Sequence, residues 1–177
     1  MNIELVPLQE NEKERFIKEI QAAFKKAVVE EFGDNGEEII PREDVINSFN
    51  AAGAESYNII CNGEIVGGAV LKINPVTKIN ELQLLYIKLG NHSKGLGAAA
   101  WQAIEKLHPE TKIWETFTPY FEKRNIHFYV NRCGFKIIEF YGPQHPLPCP
   151  PNPANTPPDM EYFFRFEKDM TAAQQNI

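Results

Sequence analysis

Long apolar runs are missing from this chain of 177 residues. A helix that crosses a membrane needs about 20 consecutive apolar residues, so no helical span is expected. Cysteine is scarce: Cys61, Cys133 and Cys149 lie far apart and form no CxxC pair. That excludes a disulfide framework and suits a reducing compartment. The four histidines show neither HxxxH spacing nor cysteine neighbours, so no metal site is expected. The start, Met1-Asn2-Ile3-Glu4, has no basic region and no apolar stretch. The expectation is therefore no secretory signal and a cytoplasmic protein. Basic residues are also in deficit. Lys+Arg 18 against Asp+Glu 24 leaves a net charge of -6 and a pI near 5.3. A nucleic-acid binder would show a basic face, so that class is set aside.

What remains is an ordinary globular mixture, 43% hydrophobic and 24% charged. The length suits one domain with a sizeable core. Residues 1–168 read as that domain, and 169–177 as a frayed tail. Half of the acids but only a third of the bases fall in residues 1–53, so the negative balance sits there.

Residues 3–7 read as a first strand. Phe16, Ile20, Phe24, Val28 and Phe32 then recur every four residues, an amphipathic helix that Gly33 ends. A shorter helix is expected from Pro41 to about residue 52. The stretch from Glu30 to Asp44 is acidic, with Glu30, Glu31, Asp34, Glu37, Glu38, Glu43 and Asp44 against one base. Residues 57–61 and 64–73 form a hairpin around Asn62-Gly63, because Asn-Gly supplies the positive φ angles of a type I′ turn. Residues 79–89 are a long strand. The helix after Gly97 has Leu96, Ala100, Ile104 and Leu107 on one face. A strand at 112–117, a helix at 121–133 capped by Gly134, and strands at 135–141 and 160–166 complete the pattern. Residues 142–158 hold eight of the 13 prolines and no charge, a stiff loop. The order β-α-α-β-β-β-α-β-α-β-β implies an α/β fold with a mixed sheet and helices on both sides.

His92-Ser93-Lys94-Gly95-Leu96-Gly97 joins a strand to a helix. Closely spaced glycines let the backbone approach a ligand, and the helix start offers unpaired N–H groups, a combination that binds phosphate or pyrophosphate. It is neither a Walker A loop nor a GxGxxG dinucleotide fingerprint. A glycine used only for the turn is the competing explanation.

The run from Leu85 to Gly97 resembles the acetyl-CoA-binding motif of the GNAT N-acetyltransferases. A second block, Asn125 to Phe135, is similar to that family's Asn-x-x-x-Phe-Tyr-x-x-x-Gly-Phe signature. His92 departs from the family, which usually has Gln or Arg there. The resemblance implies the GNAT fold and acetyl-CoA as co-substrate, without a metal. It implies pantetheine contacts from the backbone of Leu85 and Ile87. Pyrophosphate contacts would come from His92, Lys94, Gly95, Leu96 and Gly97, with Ala98 opening the helix. Asn125 would hydrogen-bond the pantetheine or pyrophosphate arm. Lys94 is otherwise a solvated flank, and Asn125 a simple helix-start residue.

Acyl transfer to an amine needs a base for the ammonium and an acid for the departing thiolate. A phenol with its pKa near 10 is still a donor at neutral pH, so Tyr129 is the candidate acid; a core aromatic is the alternative. Glu81, 11 residues before His92, stands where some family members place a catalytic glutamate. Alternation along the strand would put Glu81, Gln83, Leu85 and Ile87 on one face. Glu115 and Glu122 are secondary candidates. Cys133, Trp101 and Trp114 are expected to pack in the core. The implied activity is transfer to a small-molecule amine, and the acidic N-terminal stretch points to a cationic one. A non-catalytic acyl-CoA-binding module is the alternative. No nucleic acid or membrane partner is expected, and a homodimer is left open.

Overall fold

The structure is a computed structural model and describes residues 2–34, 40–91, 95–148 and 162–171. These fall into two compact units, one within residues 1–111 and one within 112–177.

In the first unit the order is β1 (Ile3–Pro7), α1 (Lys13–Phe32), α2 (Arg42–Asn50), β2 (Ala54–Cys61), β3 (Glu64–Lys72), β4 (Ile79–Ile87) and α3 (Leu96–Leu107). The four strands lie side by side in chain order, each antiparallel to the next. The β2–β3 turn has positive φ at both Asn62 and Gly63, as the type I′ reading requires. The stripe on α1 forms the core expected of it. Phe16, Ile17 and Ile20 are fully buried and pack with Val45 of α2, Val70 of β3 and Tyr86 of β4.

On α3, which lies against β1 and β4, the buried residues are Leu96, Ala100, Trp101 and Ile104. Leu107, expected on that stripe, is 45% exposed. Trp101 has far more apolar surface to bury, and it draws the core around itself. Leu107 is left on the helix's last residue.

A polar network ties α1 to the strands. Arg15 donates to Glu12, Glu19 and, at 2.7 Å, to Asn58 Oδ1. Glu19 also accepts from the Tyr86 hydroxyl at 2.7 Å and pairs with Lys88 at 2.8 Å.

The alternation expected along β4 fails at one point. Lys72 and Leu71 face Glu81 and Leu82, but Val70 faces Leu84, so Gln83 is an extra residue, a β-bulge. One extra residue exchanges the two sides of a strand beyond it. Leu82 therefore shares its side with Leu85 and Ile87, whereas Glu81 shares its side with Leu84 and Tyr86. The single face expected for Glu81, Gln83, Leu85 and Ile87 does not exist.

The second unit comprises β5 (Ile113–Pro119), α4 (Lys123–His127), β6 (Lys136–Tyr141) and β7 (Phe163–Asp169). Here β7 pairs antiparallel with both β5 and β6. The last strand starts three residues later than the sequence pattern suggests. The helix expected over 121–133 is α-helical only across α4. Phe128–Arg132 wind as a π turn, closed by the Cys133 N–H donating to the Phe128 carbonyl at 3.0 Å. Trp114, Thr116 and Thr118 of β5 are buried, as are Tyr129, Phe135 and Phe166. Elsewhere in this unit Arg165 donates to Glu115 at 2.9 Å, to Glu139 at 3.1 Å, and to Glu167.

Candidate active site

Gly95 is the residue that starts α3, with φ 74 and ψ 3, a left-handed conformation that glycine adopts without strain. The helix opens at Leu96, two residues earlier than expected, and Ala98 is its third residue. In any helix the first N–H groups lack an intrahelical acceptor and carry the positive end of the macrodipole. At this end they belong to Leu96, Gly97 and Ala98. The Leu96 side chain is buried, so the group it can offer a ligand is its N–H. A Cβ built on Gly95 would meet nothing within 4 Å. Among the described residues the start of α3 thus fits a phosphate-bearing ligand: open space beside a glycine, then N–H groups without an intrahelical acceptor. His92 and Lys94 lie outside the described residues. So do Glu37, Glu38 and residues 149–158 of the proline-dense stretch.

Leu85 and Ile87 stand opposite Ala69 and Gly67. Just beyond them the Lys88 N–H donates to the Val66 carbonyl at 2.9 Å. In an antiparallel pair alternate residues direct their backbone groups to the same neighbour. With Lys88 bonded to β3, the N–H and C=O of Leu85 and Ile87 turn the other way. Gln83, at the bulge, has a buried Oε1 with no hydrogen-bond partner among the described residues.

In the second unit Tyr129 is 7% exposed and its hydroxyl hydrogen-bonds with Thr116. Burial pushes its pKa well above the ordinary phenol value. The Thr116 bond opposes that, while nearby Cys133 and Glu122 add to it. Tyr129 therefore stays protonated throughout the working range, as a proton donor must before it acts. Sequence reasoning missed Thr116; the alternation of buried Trp114, Thr116 and Thr118 is the signal that marks it.

Glu122 immediately precedes α4. Its N–H donates to the Pro119 carbonyl at 3.1 Å, and its C=O accepts from the Ile126 N–H at 2.9 Å. The side chain is 8% exposed. Desolvation raises its pKa to about 7, with Arg124 pulling the other way. Glu115, the other secondary candidate, is tied to Arg165. Glu81 stands opposite Lys72 at the beginning of β4. Cys133, Trp101 and Trp114 are buried, as expected of packing residues.

The model of the acetyltransferase (GNAT) family matches residues 18–135, running through both units. The chain belongs to the GNAT acetyltransferase family. It is 52% identical over 141 residues to the uncharacterized protein YrkN of Bacillus subtilis (strain 168), covering 79% of this chain and 76% of that one. Among solved structures it resembles an acetyltransferase from Thermus thermophilus, with a TM-score of 0.67, 13% identity, and 96% and 97% of the two chains covered. The PaiA N-acetyltransferase of Thermoplasma acidophilum, in complex with coenzyme A, gives 0.66 and 17%, covering 96% and 99%. Spermidine N-acetyltransferase from Vibrio cholerae, in complex with CoA and spermine, gives 0.66 and 10%, covering 96% of each chain. These share the α/β architecture expected from the sequence, a mixed sheet with helices on its faces.

Against the GNAT signature this chain departs by one residue on each side of Phe128-Tyr129. Two residues rather than three separate Asn125 from Phe128, and four rather than three separate Tyr129 from Gly134. The surplus residue after Tyr129 is taken up by the π turn, a device that recurs at functional sites.

Proposed function

We propose that this GNAT protein is an acetyl-CoA-dependent N-acetyltransferase that passes the acetyl group directly to a primary amine in a ternary complex. The observation that carries the reading is the path of the backbone. Leu85 and Ile87 direct their amide groups away from β3, and a few residues later Gly95 opens α3 with N–H groups that have no intrahelical acceptor. An extended chain of amides ending in a pyrophosphate, which is what coenzyme A offers, matches those two features in that order. His92, Lys94 and Asn125 are assigned to the same ligand from the family motif.

The chemistry moves one acetyl group and two protons. An ammonium has no lone pair, so it must lose a proton before nitrogen can attack the thioester carbon. As the C–N bond forms and the C–S bond breaks, Tyr129 gives its hydroxyl proton to the departing sulfur. The second nitrogen proton restores the phenol. For the first proton the candidates are Glu81 and Glu122.

The acceptor class we infer is cationic. Glu30, Asp34, Glu43 and Asp44 belong to the acidic stretch, and concentrated charge of one sign draws in and orients the opposite one. A spermidine N-acetyltransferase from Vibrio cholerae and a chimera of such an enzyme with hSSAT are among the similar folds. In this chain Lys26 pairs with Glu30 and Lys25 with Asp34, which offsets part of that charge.

Thiol release from acetyl-CoA, measured over spermidine, glucosamine, lysine and alanine, tests the reading, with acetyl-CoA binding followed by calorimetry. Turnover fastest with a cation is expected. Binding without turnover on any amine would make the protein a coenzyme-binding module instead.

A further inference from the structure

One carboxyl in the second unit is buried alone. Glu122 is 8% exposed, and its side chain makes no hydrogen bond or ion pair among the described residues. Several other partly covered carboxylates are engaged: Glu19 by Tyr86, Lys88 and Arg15, Glu115 by Arg165, Glu139 by Arg165, Tyr141 and His145. Burying a carboxyl without a partner opposes folding whether it is charged or neutral. An apolar side chain at the entry to α4 would serve the fold better. A group held this way is suited to a partner that arrives with the substrate.

Two charged or titratable neighbours act on it or through it. Arg124 favours its ionised form. Glu122 in turn acts on Tyr129, whose hydroxyl is further influenced by Thr116 and Cys133. The proposed acid and this carboxyl, seven positions apart in the chain, therefore belong to one electrostatic cluster.

We propose that Glu122 is the general base of the acetyl transfer. This rests on the acetyltransferase reading above. The carboxylate accepts one proton from the acceptor's ammonium, leaving a neutral amine and a carboxylic acid. The amine's lone pair forms the C–N bond to the acetyl carbon, the C–S bond breaks, and Tyr129 protonates the sulfur. The second nitrogen proton returns to Tyr129, and Glu122 releases its own to solvent. The sum is amide, free thiol and one proton. Burial holds Glu122 near neutrality, where a carboxyl is basic enough to take a proton and acidic enough to shed it. Glu81, by contrast, is only partly covered and stands opposite Lys72 near the beginning of β4.

The test compares Glu122→Gln, Glu122→Asp and Glu81→Gln in the full chain, using the best amine of the panel. The pH profile of kcat/KM is recorded with two acceptors of different amine pKa. Wild type should lose activity below about pH 7, along a limb that stays put when the acceptor changes. Glu122→Gln should lower kcat by roughly 100-fold or more and abolish that limb, with the acetyl-CoA dissociation constant unchanged. Glu122→Asp should keep the limb and recover at least part of the rate. A Glu122→Gln enzyme with the wild-type rate and limb overturns the assignment, as does loss of the limb in Glu81→Gln alone. Carbon NMR of the wild-type carboxyl is independent of turnover and of variant folding. A Glu122 titrating in the ordinary carboxylate range would also overturn it. A wild type that binds acetyl-CoA yet transfers to no amine fails the acetyltransferase reading itself, and the base goes with it.

Discussion

The ring of Phe16 meets the ring of Tyr86 edge-on, with centroids 4.9 Å apart and planes 85° apart. Both rings close over Gly68 of β3. A Cβ there would stand 2.7 Å from the Tyr86 ring and nearer still to Phe16. Gly68→Ala should therefore overpack the first unit's core and destabilise it by about 1–3 kcal/mol. A chemical-denaturation midpoint lowered at constant slope is the expected result. An unchanged midpoint would mean the two rings have room to part.

Gly95 separates conformational from electrostatic effects. Its left-handed φ of 74 penalises any substituent, although the space around it is open. Gly95→Ala should weaken acetyl-CoA binding modestly, through a backbone penalty of about 1–2 kcal/mol. Gly95→Asp adds a negative charge beside the proposed pyrophosphate position and should weaken binding at least tenfold beyond the alanine variant. Calorimetric titration with acetyl-CoA measures both. Equal losses would make the glycine a turn and nothing more.

Tyr129→Phe deletes one hydroxyl and with it the hydrogen bond to Thr116. Loss of the acid should reduce kcat roughly 10 to 1,000-fold with little change in acetyl-CoA affinity. Loss of that hydrogen bond should lower stability by about 1 kcal/mol. Steady-state kinetics and thermal melting read the two effects separately. An unaltered kcat on the best amine removes Tyr129 from the chemistry.

Glu122 links stability to pH in an uncommon direction. Its pKa rises from an ordinary 4.5 to about 7 on folding. Below 4.5 both folded and unfolded chains hold the proton, and nothing is lost. As pH climbs from 4.5 to about 7 the unfolded chain ionises while the folded chain keeps its proton, so stability falls by roughly 3 kcal/mol and levels off above 7. Glu122→Gln removes that loss. It should melt above wild type at pH 8, with the gap closing by pH 4. An inactive variant that is more stable at alkaline pH than its parent would mark a residue retained at the expense of the fold.

Much of this was open to reading from the chain. Phe16 and Ile20 announce the buried side of α1 by their spacing, Asn62-Gly63 announces its turn, and Gly33 and Gly134 stop their helices as expected. What escaped was local and depended on partners. Glu81 to Ile87 reads as unbroken alternation, because an extra residue in a strand looks like any other until its neighbour's register is known. Phe128 to Arg132 likewise reads as ordinary helix, since a π turn changes a hydrogen-bond partner without changing composition. The solitude of Glu122 was hidden for the same reason. A glutamate near a helix start is usually solvated, and only the packed unit shows that this one is covered.

Glu19 has a consequence for how the first unit breathes. Its carboxylate receives Tyr86 from β4, Lys88 just past the strand, and Arg15 from its own helix. Unfastening the end of β4 thus also frees a cation and a phenol from α1, and fraying α1 there does the reverse. In hydrogen-exchange terms the amides around Lys88 and those of the second turn of α1 should share one opening event and one protection factor. The strand end that leads toward the proposed coenzyme loop is thereby timed by a helix on the other side of the chain's sequence.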